Sequence, residues 1–163
     1  MKCEVEKMSS LRGLHRLRQF QEMLNYALPF TGLDAALPGI IRFVIVTAPR
    51  MARLNMLHLG HQGTTDVITY DLRSDDGDFL AGVFDAPPIL AEIYLCPQVA
   101  RQFAEQFGTT PSHELFLYGV HGLLHLAGED DLTDDERASM RRAESRVLAA
   151  VEQKYAIDGF LDR

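Results

Sequence analysis

No run of apolar residues in this 163-residue chain approaches the roughly 18 needed to span a membrane. The opening residues, MKCEVEKMSS, also lack the apolar stretch of a secretory leader. The expectation is a cytoplasmic protein with no membrane contact. Cysteine is scarce: Cys3 and Cys96 are too few for a disulfide framework and lack the paired spacing of a cysteine metal site, so both are expected as thiols and neither as a ligand. Internal repeats and low-complexity segments are missing, which excludes solenoids and linker arrays. Positive charge is in deficit, with 16 basic against 23 acidic residues and a net charge of −7. A uniformly basic surface for phosphate is therefore excluded. The deficit is uneven, since residues 1–53 hold 8 Lys/Arg and 4 Asp/Glu and the remainder holds 8 and 19. An acidic protein can in this way keep one basic face, although the acids can equally serve to solvate the C-terminal helices.

What the chain does contain is ordinary globular material, with 47% hydrophobic and 24% charged residues at a length that suits one domain over 1–163. Apolar residues at Leu14, Leu17, Phe20, Met23, Leu24 and Ala27 predict an amphipathic helix over 11–28, ended by Pro29. Arg12, His15, Arg16 and Arg18 lie on its other face. Short β-branched runs predict strands over 40–47, 66–72 and 89–96, with a brief helix over 49–57 and a weak N-terminal strand around Val5. Turns are expected over 29–38, 73–78 and 85–88.

From Pro97 the pattern becomes helical: 97–107 closed by Gly108, 111–127 opened by Thr110-Pro111 and closed by Gly128, and 134–155 opened by the capping box Thr133-Asp134-Asp135-Glu136. Strands first and helices later predict an α+β fold, a small mixed sheet covered by helices.

The chemistry concentrates in His121-Gly-Leu-Leu-His125-Leu-Ala-Gly128-Glu129-Asp130-Asp131. Histidines four apart share one helix face, where two imidazole nitrogens can converge on one ion. Gly128 can reverse the chain and return Glu129, Asp130 or Asp131 to the same point as an oxygen ligand. Two imidazoles and a carboxylate leave a position for water, the mark of a catalytic rather than a structural site, and zinc suits this mixture. Such a pair can also be no more than hydrogen-bonded core residues, but the glycine and the acidic cluster favour a metal. A zinc peptidase is excluded because Gly122 stands where His-Glu-x-x-His needs its general base.

HGLLHLAGEDD resembles the signature His-Gly-x-Leu-His-Leu-x-Gly-Tyr-Asp-His of the YbeY family, metal-dependent endoribonucleases and ribosomal RNA maturation factors. Leu54-Asn55 and Thr65-Asp66-Val67-Ile68-Thr69-Tyr70 are similar to the family's Leu-Asn and Thr-Asp-Val-Leu-Ser-Phe. Ala91-Glu92-Ile93 and Glu114-Leu115 also fall in order, so the resemblance covers about 40–150. It places the family's last histidine on Asp131, its tyrosine on Glu129 and its functional arginine on Leu59.

The resemblance implies an ion held by His121, His125 and Asp131, with Glu129, Asp130 or Glu92 orienting water and His58 or His61 as the nearby cationic groups in place of the arginine. Zinc, one per chain, is the implied cofactor. The implied partners are ribosomal RNA and the small ribosomal subunit, a ribosomal protein of the subunit platform and a ribosome-associated GTPase. Asp131 makes the site less positive by one charge than a histidine would, and a leucine cannot clamp phosphate. Two alternatives follow: a catalytically weak or silent ribosome-assembly factor that keeps the fold, and a zinc hydrolase of a small substrate.

Overall fold

The computed structural model describes residues 1–34, 36–73 and 87–162; of the turns expected over 73–78 and 85–88, residues 74–78 and 85–86 fall outside these residues. Four strands, β1 (Lys2–Lys7), β2 (Ile40–Ile45), β3 (Val67–Asp71) and β4 (Ile89–Leu95), form one sheet in the order β1-β2-β4-β3. β1, β2 and β4 run parallel, whereas β3 is antiparallel to β4. The helices are α1 (Leu17–Ala27), α2 (Ala48–Leu59), α3 (Pro97–Phe107), α4 (Pro111–Leu126) and α5 (Asp134–Glu152). The α+β fold with a mixed sheet is thus as the residue pattern requires.

Alternation along the strands sorts the two faces of the sheet. Ile41, Phe43 and Ile45 of β2 and Ala91, Ile93 and Leu95 of β4 are fully buried and join Phe20, Met23, Phe116, Leu123 and Val147 of the helices in one core. On the opposite face, α2 contributes Met51 and Leu54 to a second cluster with Val46, Ile68, Cys96 and Val99. Cys3 and Cys96 are buried free thiols.

The edge of the sheet at β1 is closed by side chains of α1. Asn25 accepts from Cys3 N (2.8 Å) and donates to Cys3 O (2.9 Å), while Gln21 accepts from Val5 N (2.9 Å). A free strand edge is thereby covered.

The helix expected over 11–28 is shorter, beginning only at Leu17. Gly13 (φ 68°) and Arg16 (φ 49°) are left-handed, and the chain between them bridges Leu14 to Leu161, with His15 N donating to Phe160 O and Asp162 N to Gly13 O. Leu11 and Leu14 are apolar because they pack on the core from an extended segment held by the C-terminal tail. Helix α2 runs two residues past its expected end, so His58 and Leu59 occupy its last turn before left-handed Gly60.

Helix α4 is buried along most of its length, and its contact with the sheet passes through Gly122. A Cβ there would lie 2.9 Å from Ile93 Cγ2 and 2.9 Å from Thr69 Oγ1. We expect Gly122→Ala to destabilise the protein by about 1–3 kcal/mol, the overpacking outweighing the gain in helix propensity. Denaturant unfolding checks this; a net gain in stability would mean the helix does not rest on the sheet here.

Candidate metal centre

Helix α4 starts where Thr110 Oγ1 accepts from His113 N (3.1 Å) and Pro111 takes the first helical position. It ends at Leu126, and Gly128, whose φ is 100°, turns the chain back, with Glu129 N donating to Leu124 O (3.0 Å). Arg73, just beyond β3, ties the helix end to the sheet by donating to Leu126 O (2.7 Å) while its Nε bonds Asp71 (2.8 Å). That hydrogen bond holds the Asp71 carboxyl below the usual carboxylate range.

His121 and His125 then sit one turn apart with Nε2 atoms 2.9 Å from each other. The turn brings Asp131 to them, Oδ2 at 3.7 Å from His121 Nε2 and Oδ1 at 3.9 Å from His125 Nε2. One ligand atom from each of the three residues lies within 4.8 Å of the others, and the three could hold a metal ion. Ligand atoms around a tetrahedral zinc stand about 3.3 Å apart, between the separations seen here.

The hydrogen bonds behind the rings decide what their faces offer. His121 Nδ1 meets Glu144 Oε1 of α5 at 2.7 Å, and His125 Nδ1 meets the carbonyl oxygen of Glu129 at 3.0 Å. Both partners are acceptors, so each neutral ring carries its proton on Nδ1 and presents a lone pair at Nε2. Two lone pairs at 2.9 Å repel unless a cation or a proton stands between them, and this donor set therefore fits a metal. Burial disfavours charge on His121, but the Glu144 hydrogen bond and the charges of Glu144, Asp66 and Asp131 outweigh it and raise its pKa above the ordinary 6.5.

The three residues line a cleft of about 760 Å³ between α4 and β3, whose other wall includes Asp66, Thr69 and Asp71. Asp66 Oδ1 is held by the Thr65 hydroxyl and Val67 N, each at 2.9 Å. The buried Thr69 hydroxyl has no hydrogen-bond partner among the described residues. The cleft is acidic, because Asp66, Asp71 and Asp131 line it and, among the described residues, neither lysine nor arginine does.

The carboxylates of Glu92, Asp130 and Glu129 are not turned to the imidazoles. Glu92 lies across the sheet: its register partner is Tyr70, whereas Thr69 and Ile93 are the side chains against α4, so strand alternation points Glu92 away. There it accepts from Arg42 Nη1 (3.2 Å) and Tyr94 OH (2.8 Å). Asp130 is exposed and turns its carboxylate onto Asp131 N (2.8 Å), stabilising the turn. Glu129 accepts from Ser139 Oγ (3.0 Å) and serves His125 through its backbone. His61 is exposed just past α2, and the side chains of His58 and Leu59 lie outside what the structure describes. Glu144, which the residue pattern did not single out, is brought to His121 Nδ1; its distance of 23 residues from His121 and its place among polar helical neighbours left no local signal.

The sequence model of the family described as endoribonuclease YbeY matches residues 4–152. Endoribonuclease YbeY of Frankia alni is 36% identical over 110 residues, 66% of this chain and 60% of its own length. The chain thus spans less than two thirds of that relative. Its counterpart from Bacillus licheniformis is 31% identical over 135 residues, 82% of this chain and 84% of the other. A Thermotoga maritima protein solved in solution shares the fold, with a TM-score of 0.60 over 93% of this chain and 91% of that one at 24% identity. The signature helix and turn lie inside the matched span, and the chain belongs to the YbeY family.

Proposed function

We propose that this chain is a cytoplasmic, metal-dependent endoribonuclease that acts in ribosomal RNA processing and small-subunit maturation. The observation that carries the reading is the pair of Nε2 lone pairs facing Asp131 in an open, acidic cleft. Without a cation that cleft repels a phosphodiester; a bound divalent ion reverses the local potential, polarises a phosphoryl oxygen and acidifies water.

His121, His125 and Asp131 are the proposed ligands, and zinc is the ion favoured by two imidazoles and a carboxylate. The remaining wall of the cleft, Thr65 to Asp71, is the surface along which RNA would lie. The proposed partners are ribosomal RNA and the small subunit, a platform ribosomal protein and a ribosome-associated GTPase. Among the described residues no helix is long and apolar enough to cross a membrane.

A second reading, an assembly factor with little cleavage of its own, is favoured by one observation: Leu59 stands where the family resemblance places an arginine. The Arg73 guanidinium is engaged by Asp71 and Leu126 O and does not take its place.

Elemental analysis should find one transition metal per chain. His125→Ala should abolish uptake, because two ligands hold an ion poorly; Asp131→Ala should weaken it and Asp131→His should retain it. Stoichiometric metal in His125→Ala would place the site elsewhere.

The raised pKa of His121 sets opposite pH dependences for the two forms. In metal-free protein its stabilising contribution is complete below 6.5 and is lost as pH rises through the raised folded value. Zinc needs the deprotonated ring, so apparent affinity climbs with pH through that same range. Thermal melts in chelator and in zinc, compared across pH, should therefore diverge on the alkaline side; parallel curves would refute this.

Cleavage of structured small-subunit ribosomal RNA, with metal-stripped and metal-restored protein, tests the function itself. The unmodified protein should cut slowly and only with metal. A guanidinium on the phosphate is worth on the order of 2–4 kcal/mol in the transition state, so Leu59→Arg should accelerate cleavage roughly 30- to 1,000-fold. Strong cleavage with no gain in Leu59→Arg would show that another group grips the phosphate; none with either protein would support the assembly-factor reading.

A further inference from the structure

We propose that Glu144 is the positioning residue of the metal centre: its carboxylate locks His121 in the Nδ1–H tautomer and so sets the affinity of the site. The inference rests on the reading of His121, His125 and Asp131 as metal ligands. Glu144 Oε1 lies 2.7 Å from His121 Nδ1, and its side chain is 15% exposed.

The carboxylate is held from a rigid element. Met140, Ala143 and Val147, on the same helix α5, are buried in the main core, so the spine of α5 cannot shift without opening it. A carboxylate that accepts from the far nitrogen of a metal-ligating imidazole fixes the ring's orientation and makes Nε2 a better electron-pair donor.

The two histidines are oriented by different means, and this gives Glu144 its importance. His125 is held by the carbonyl of Glu129, a backbone group that no side-chain substitution removes. His121 depends on a side chain from another helix. Once that side chain is gone, the His121 proton can move to Nε2, where it faces the lone pair of His125 Nε2 at 2.9 Å. The two rings would then hydrogen-bond to each other and close the site against a metal. Glu144 keeps the proton on the far side of the ring and the pair of ligands open.

Two variants separate charge from tautomer. Glu144→Gln retains an oxygen that can accept from Nδ1–H, so it should keep the tautomer while affinity falls several-fold. Glu144→Leu offers no acceptor and should shift His121 to Nε2–H, with a loss of affinity on the order of 10- to 100-fold. Zinc affinity is read by competition with a chelator, and the tautomer by the ring ¹⁵N resonances of His121 in metal-free protein. Neither readout needs RNA, and unfolding of the metal-free variants serves as the control for folding.

Wild-type affinity and an unchanged tautomer in folded Glu144→Leu would overturn the inference and leave the metal site standing. Failure of the unmodified protein to take up zinc would overturn both. Should Glu144→Leu not fold, Glu144→Gln decides alone: a several-fold loss of affinity supports the role, and unchanged affinity overturns it.

Discussion

The approach of α4 to the sheet at Gly122 is the constraint on which the rest of the molecule hangs. With no side chain at that position, the helix backbone lies against Ile93 and Thr69 closely enough that any Cβ would collide. Leu123 and Phe116 are then driven into the core, and the neighbouring residues His121 and His125 emerge at the seam beside β3 rather than within the core or in open solvent. The cleft is this seam, and its depth follows from the helix-to-sheet distance. Arg73 reinforces the same contact by joining the end of β3 to the last carbonyl of α4, Leu126 O.

Around that contact the polar groups are arranged so that a cation is favoured. The acceptors behind both imidazoles, a carboxylate on one and a carbonyl on the other, leave lone pairs directed at one point. Asp131 adds a negative charge at the same point, and Asp66 and Glu144 add more nearby. Hydrogen-bonded turns make this possible at little cost in flexibility. Asp130 caps its neighbour's amide, Arg137 donates to the carbonyls of Asp131 and Leu132, and the Thr133–Glu136 capping box starts α5 immediately afterwards. The acidic run 129–131 thus divides its labour: one residue faces the imidazoles, and the other two hold the turn.

The opposite face of the sheet shows why a carboxylate in the right segment is not necessarily in the right place. Glu92 sits one residue from Ile93, which touches α4, and strand alternation sends it to the other side to join Arg42 and Tyr94. Tyr94 is correspondingly hard to ionise, its pKa pushed up to about 12 by burial and by the Glu92 carboxylate.

Local chemistry was sufficient for most elements and for the histidine pair. Four-residue spacing on a helix, a proline at N1, a glycine past a helix end and a capping box all act within one or two turns, so the bounds of α3 and α4, the start of α5 and the pairing of His121 with His125 were readable from adjacent residues. The choice among Glu129, Asp130 and Asp131 was open to spacing alone, because each could return through Gly128; in the folded turn Asp130 and Glu129 bond elsewhere and Asp131 lies beside the imidazoles. Long-range pairings left no such trace. The extended segment before α1 mimics a helical period because it packs on the C-terminal tail, the face on which Glu92 lies depends on sheet register, and Glu144 reaches His121 only after α5 has folded back across α4. Those contacts join residues far apart in the chain, and nothing in the neighbourhood of either partner encodes the other.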